Sequence, residues 1–285
     1  MPKPRDRWPE LCKKVSDDDG LPVREVGSWT EGKLFFWNRY IEITTTGMKN
    51  RWSGRLAYID LFAGPGVCRI RDSKKRIPGS PLIAAHAPHD FLKIVAIEYD
   101  TKLAKACETR LQNSCRAGQC AVLIGDCNQR IGDAIRELPI DALTLAFVDP
   151  EGLHAHFSTI AELTRSRRTD LFILFADRMD IVRNVALYAE QERSNLDLVL
   201  GPETQWRDRW NNLPNQNSLN TCQLFEELYR DQLRNQLGYR YFRRKIVGPK
   251  KNPLYRMIFA TKHERGLDFW DKVTRRDKGG QRELF

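Results

Sequence analysis

The chain has no C-x-x-C pair, no phosphate-binding P-loop and no G-x-S-x-G elbow. It also lacks any run of 18 apolar residues, the minimum for a membrane-spanning helix. Its seven cysteines are an odd number, and those at 107, 115, 120 and 127 follow none of the usual zinc spacings. Buried, reduced thiols are expected. The start, Met-Pro-Lys-Pro-Arg-Asp-Arg, lacks the apolar segment of a secretion signal. Together these absences imply a cytoplasmic protein with no membrane contact. His154 and His156 stand two apart without a third ligand in view, so no metal site is expected. Internal repeats and low-complexity segments are missing too. A dinucleotide fingerprint is incomplete: Gly64 and Gly66 begin it, but Arg69 stands where the third glycine belongs.

What is present starts with length and charge. A chain of 285 residues suits one large α/β domain or two small ones. A formal charge of +10 suggests a polyanionic partner. The basic residues crowd in three places. Arg69, Arg71, Lys74, Lys75 and Arg76 follow the glycine turn. Arg165, Arg167 and Arg168 form a second group. Arg240, Arg243, Arg244, Lys245, Lys250 and Lys251 form a third. Each could equally be a solvated face.

Residues 56–66, Leu-Ala-Tyr-Ile-Asp-Leu-Phe-Ala-Gly-Pro-Gly, run from an apolar strand into an aspartate and a tight turn. Continuous apolar runs are the mark of a buried parallel strand. Further strands are expected at 93–97, 120–124, 143–148 and 170–176, alternating with helices at 101–112, 131–138 and from 158. Such alternation implies a parallel sheet with helices on both faces. A helix is also expected over 31–44 and another beginning near Leu82. A long helix over 218–237 then precedes two β-rich runs, 239–247 and 254–261. The joint between them is too short for a helix, so they should pair antiparallel. Residues 1–28 read as an irregular extension and 69–76 as a basic loop. Residues 29–277 read as one domain, with 178–217 a candidate insertion, and 278–285 as a tail.

Ligands in such sheets bind outside the carboxyl ends of the strands. There the first four strands end in Asp60, Glu98, Asp126 and Asp149. Glu98, about 30 positions beyond the turn, is placed to accept hydrogen bonds from a ribose diol, or to cap the next helix. Asp126 and Asn128 are placed to read an adenine ring. Asn128 is equally placed to cap a helix beginning at Gln129. Asp149-Pro150-Glu151-Gly152 ends the fourth strand firmly, because proline fixes φ and has no N–H to donate. The Asp149 carboxylate and the Pro150 carbonyl would offer two acceptors to an exocyclic amine.

The blocks Lys33, Tyr40, Asp60-Leu-Phe-Ala-Gly-Pro-Gly66, Gly79-Ser80-Pro81, Ile97-Glu98, Gly125-Asp126-Cys127-Asn128 and Phe147-Val148-Asp149-Pro150 together resemble the three-Cys-motif partner family of bacterial and mobile-element proteins. The resemblance spans residues 30–275, Phe269-Trp270 included. It implies a Rossmann-like S-adenosylmethionine (SAM) methyltransferase sheet, closed by an antiparallel C-terminal hairpin. Asp60, Phe62, Gly64, Gly66, Glu98, Asp126 and Asn128 would hold SAM. Asp149 and Pro150 would orient an amino nitrogen of a base, and Arg71, Lys74, Lys75 and Arg76 would contact nucleic acid. The family's cysteines belong to a neighbouring three-Cys-motif protein, so Cys107, Cys115 and Cys120 are not that motif. The alternative reading is a non-catalytic SAM-fold partner subunit of a mobile-element or defence system. Glu151 stands where relatives often carry an aromatic residue, which leaves stacking on a flipped base without its usual side chain.

Overall fold

The structure is a computed structural model that describes residues 6–50, 54–165, 167–202, 204–248 and 255–274. Lys250, Lys251 and the tail 278–285 lie outside the described residues.

Seven strands form the main sheet: β2 (Leu56–Asp60), β5 (Lys93–Glu98), β6 (Cys120–Ile124), β7 (Leu143–Val148), β8 (Arg168–Phe175), β9 (Tyr241–Val247) and β10 (Tyr255–Thr261). Their spatial order is β6-β5-β2-β7-β8-β10-β9. The first five run parallel, and β10 pairs antiparallel with both β8 and β9. The last strand thus enters between β8 and β9, leaving the earlier member of the hairpin at the edge. This is the Rossmann-like methyltransferase sheet.

Period-two alternation divides the core by chemistry. Tyr58, Phe147, Phe172 and Phe259 face one side, while Ile59, Val148, Ile173 and Ile258 face the other. The aromatic face is covered by α2 (Trp29–Met48) and α11 (Glu264–Thr274). On α2, Trp37 stacks on Phe147 at 4.8 Å between ring centroids, and Tyr40 lies 4.6 Å from Phe172. The aliphatic face receives α5 (Cys127–Glu137), α6 (Phe157–Thr164) and α10 (Ser218–Leu237). Lys33 precedes Trp37 by one helical turn on the same side of α2. Seating Trp37 on the sheet centre therefore carries Lys33 to the carboxyl end of β7.

The segment before residue 29 is not irregular. It holds α1 (Trp8–Lys14) and β1 (Arg24–Val26), with Trp8 and Leu11 buried. The basic loop is likewise ordered, as β3 (Val67–Ile70) and β4 (Arg76–Pro78). These pair antiparallel, and β1 joins β3 in parallel to make a second, three-stranded sheet. No apolar periodicity announces strands this short. Buried Arg110, on α4 (Thr101–Gln112), pins the segments that enter β1 and β3. Its Nε and Nη2 donate to the Asp19 carboxylate at 2.7 and 2.8 Å, and Nη1 donates to the carbonyls of Pro22 and Pro65.

The described part of region 178–217 carries short helices joined by loops. A π-turn, Asp177–Ile181, leads into α7 (Val182–Glu190), α8 (Asn195–Leu200) and α9 (Trp206–Asn211). The third helix of the sheet layer, α3 (Ser80–Ala85), begins two residues before Leu82, since Pro81 suits a first turn. Cys115 and Cys120 form a disulfide across the turn that carries α4 into β6, contrary to the expectation of reduced thiols. Cys68, Cys107, Cys127 and Cys222 carry free thiols. Among the described residues no helix is long and apolar enough to cross a membrane.

Candidate functional site

Asp60, Glu98, Asp126 and Asp149 do gather at the carboxyl ends of β2, β5, β6 and β7, but their surroundings differ. Asp60 is wholly buried beneath the cleft, where its oxygens accept from the Tyr58 hydroxyl at 2.9 Å and the Phe62 N–H at 3.2 Å. Burial pushes its carboxyl up to about 6, against the pull of the Ser80 and Tyr58 hydroxyls. It lies outside the linings of the two cavities described below and supports the turn from beneath.

The turn itself needs its glycines. Gly64 and Gly66 have φ of 61° and 83°, the left-handed region that other side chains resist. The Gly64 N–H donates to Glu98 Oε2 at 2.7 Å. Gly66 offers its carbonyl to the Gly79 N–H at 2.7 Å, so the D-L-F-A-G-P-G and G-S-P blocks touch. A Cβ on Gly79 would sit 2.9 Å from that carbonyl oxygen.

One cavity, about 470 Å³, opens against Leu61, Phe62, Glu98, Asp126 and Cys127. Glu98 Oε1 takes the Asp100 N–H at 2.9 Å, so each oxygen holds one backbone donor and keeps acceptor capacity. Asp126, not Asn128, caps the following helix: its Oδ1 accepts from the Asn128 N–H at 2.9 Å, and the helix begins at Cys127. Asn128 is committed within the protein. Its amide donates to Asp126 Oδ1 and the His154 carbonyl, and its oxygen accepts from the His156 N–H and the Thr159 hydroxyl. It splices α5 to the 154–159 segment and also lines this cavity. Burial lowers the His156 pKa. Among the described residues no cluster of three or more His, Cys, Asp or Glu could hold a metal.

A second cavity, about 430 Å³, is lined by Lys33, Gly64, Arg71, Pro150, Met179 and Tyr255, among others. Arg24, Phe62, Asp149 and Glu151 line both cavities and form their common wall. Asp149 Oδ2 accepts from Lys33 Nζ in a short ion pair, with both side chains largely shielded. Exposed Glu151 faces Arg24 at 3.7 Å. Gly152 has no room for a side chain, because a Cβ would lie 2.9 Å from Asp180 Oδ2. That same oxygen accepts the Leu153 N–H, while Asp180 Oδ1 accepts from the Tyr188 hydroxyl at 2.6 Å. The π-turn thereby braces the Asp149-to-Leu153 corner, and π-turns recur at functional sites.

Sequence reasoning about the basic residues needs correction. Arg76 is tied to Asp18 and Asp19 at 2.8 Å each, and Lys75 to Glu31 at 2.6 Å. Their charges are used inside the N-terminal sheet. Arg69 pairs with Glu25. Arg71 and Lys74 remain exposed. In the third cluster Arg243 forks onto Asp271 and Arg244 pairs with Glu226. Arg167 donates to the carbonyls of Pro139 and Ile135. Lys33, Arg24, Asp180 and Tyr255 were assigned no part in the site from sequence. Only Lys33 had a signal, its i, i+4, i+7 spacing with Trp37 and Tyr40.

No protein-family model and no curated protein matches the chain. Solved structures do resemble it. An O-methyltransferase from Bacillus cereus in complex with SAH is 11% identical, with a TM-score of 0.48 over 92% of this chain and 94% of that one. A protein from Legionella pneumophila is 11% identical, with a TM-score of 0.47 over 84% and 91%. TomG, an O-methyltransferase from Streptomyces achromogenes in complex with SAM, is 10% identical, with a TM-score of 0.42 over 92% and 100%. The fold assignment rests on the strand order of this chain.

Proposed function

We propose that this protein is a SAM-dependent methyltransferase acting on nucleic acid, at an exocyclic amino nitrogen of a base. The observation that carries the reading is the shared wall: two cavities at the carboxyl ends of the sheet meet at Asp149. The first cavity suits SAM. Glu98 keeps lone pairs for a ribose diol, Asp126 stands at the adenine end, and Leu61, Phe62, Leu103 and Cys127 supply apolar lining. The Gly64 N–H, 2.7 Å from Glu98 Oε2, fixes that carboxylate at the cavity wall. When bound, SAM would supply a methyl group activated on a sulfonium.

The chain's own groups would act on the acceptor. Asp149 accepts a hydrogen bond from the amine and turns its lone pair toward the first cavity. As nitrogen takes the methyl group and sulfur keeps the electron pair of the broken C–S bond, the carboxylate would stabilise the positive charge on nitrogen and take the proton it sheds. Lys33 holds Asp149 in place until the amine arrives. Support for a polyanionic substrate comes from the charge of +10, from exposed Arg71 at the second cavity and from exposed Lys74. Membership of the three-Cys-motif partner family, with a neighbouring three-Cys-motif protein as partner, is proposed from the shared residue blocks, and a cytoplasmic setting from the sequence reading.

The test is transfer of labelled methyl groups from SAM to total RNA and DNA of the source organism. Label in one of them, abolished by Asp149→Ala, is the expected result. SAM binding with no label in either would favour the non-catalytic partner subunit instead.

A further inference from the structure

The geometry points to the second cavity as the receptor for one unstacked nucleotide, its base against Tyr255 and Trp29 and its phosphate at Arg71. This rests on the nucleic-acid reading above and adds the mode of entry and the residues that grip. Position 151, where an aromatic plate would be expected, holds an exposed glutamate facing Arg24. The cavity nevertheless has aromatic walls, brought from two remote places. Tyr255 opens β10 and Trp29 opens α2. Both are half-buried and line the same space as Asp149 and Pro150.

Trp29 is held in position. A Cβ on Gly27 would fall 1.7 Å from its Cζ3, so the indole lies directly on the glycine backbone. Tyr255 lines the cavity together with Asp149, Pro150 and Glu151, and burial, reinforced by the two carboxylates, raises its pKa. Met179, from the π-turn, adds a polarisable apolar contact. At the rim, the exposed Arg71 side chain reaches the Glu25 carbonyl through Nη2 at 3.4 Å. Aromatic faces, acceptors at the inner end and a guanidinium outside are the complement of a base carrying an amine and a phosphate. A base can reach such a cavity only when unstacked, as in a single strand or a flipped nucleotide.

The test uses fluorescein-labelled single-stranded oligonucleotides of mixed sequence, in DNA and RNA form, read by anisotropy at low salt. Calorimetry with SAH runs in parallel on every variant. Wild type should bind one of the two strands. Tyr255→Ala and Trp29→Ala should each weaken binding about five- to a hundredfold, the span of base–aromatic stacking. Tyr255→Phe should bind like wild type. Arg71→Ala should flatten the log–log salt slope by roughly 0.7 to 0.9, one phosphate contact. SAH affinity should not change in any of them. If wild type binds and both alanine variants bind equally well, the nucleotide-receptor assignment is wrong while the methyltransferase reading stands. If SAH binds but no oligonucleotide does, nucleic acid is the wrong substrate class and this inference falls with it. If Tyr255→Ala loses SAH as well, its part is structural and the stacking role is overturned.

Discussion

Lys33 and Asp149 form an ion pair across 116 positions of sequence, on the wall that two cavities share. Neither partner could do the same work elsewhere in the fold. Asp149 is fixed by the end of a buried strand and by Pro150. Lys33 is fixed by the seating of Trp37 one turn later. The pair is thus set by the packing of α2 on the sheet, and its disruption should be felt in chemistry before it is felt in stability.

Asp149→Asn should cut methyl transfer by on the order of a hundredfold, the usual cost of losing one well-placed polar group. SAH affinity should stay near wild type. Lys33→Met should cost less, about tenfold, because Asp149 survives but is no longer held in one orientation. Single-turnover transfer of labelled methyl groups measures both. Equal rates for Asp149→Asn and wild type would remove the carboxylate from the mechanism.

Glu98 should govern the cofactor. At a hundredfold its dissociation constant a ligand adds about 2.7 kcal/mol of stability. For a chain of this size that is a melting shift of roughly 5–10 °C with SAH. Glu98→Ala should remove most of the shift, since it deletes the acceptor and leaves the Gly64 and Asp100 N–H groups without their partner. Differential scanning calorimetry with and without SAH decides the matter.

Gly79→Ala should destabilise by about 1–3 kcal/mol, the range for forced overpacking. Its new methyl would press on a backbone oxygen that the Gly79 N–H itself holds, so neither side can yield cheaply. The displaced oxygen belongs to Gly66, and SAH affinity should fall with stability. Urea melts and calorimetry on the same sample test the link. Loss of stability with intact SAH binding would separate the two blocks.

The sheet was readable because its strands are continuous apolar runs ending in acids, a pattern set by burial on both faces. Strands β6 and β7 and helices α4 and α10 lie where periodicity places them. The insertion of β10 inside the hairpin was not readable, since order within a sheet leaves no local mark. The same limit hid the acceptor side of the site. Arg24, Trp29 and Tyr255 sit in segments whose form depends on distant partners, such as the Asp19–Arg110 clamp. Arg76 and Lys75 look like Arg71 and Lys74 in sequence, and only tertiary pairing tells them apart.

Buried Asp170 gives the molecule a pH signature. It accepts from the Tyr40 hydroxyl, and burial lifts its carboxyl to about 6. The folded state therefore binds this proton more tightly than the unfolded chain, whose value is near 3.9. Its contribution to stability is present below that unfolded value and is lost as pH rises toward 6. Asp60 acts in the same sense. His86, pushed down to about 4 by burial, acts in the opposite sense as pH climbs toward 6.5. Their partial cancellation makes the difference between wild type and Asp170→Asn the clean measurement. Relative to wild type, the variant should gain about 1–3 kcal/mol as pH rises from 4 to 7. A flat difference across that range would mean that Asp170 is ionised normally.

The second cavity is assembled from both ends of the described chain. Strand β1 and the start of α2 bring Arg24, Trp29 and Lys33, and β10, the strand that enters the sheet last, brings Tyr255. The SAM-sized cavity, by contrast, is walled largely by residues from 61 to 156. During synthesis the two halves would therefore mature at different times. A nascent chain could close around its cofactor while its substrate side still lacked a wall. Selectivity for the acceptor would arrive only with the final strand, the same strand that completes the core between β8 and β9.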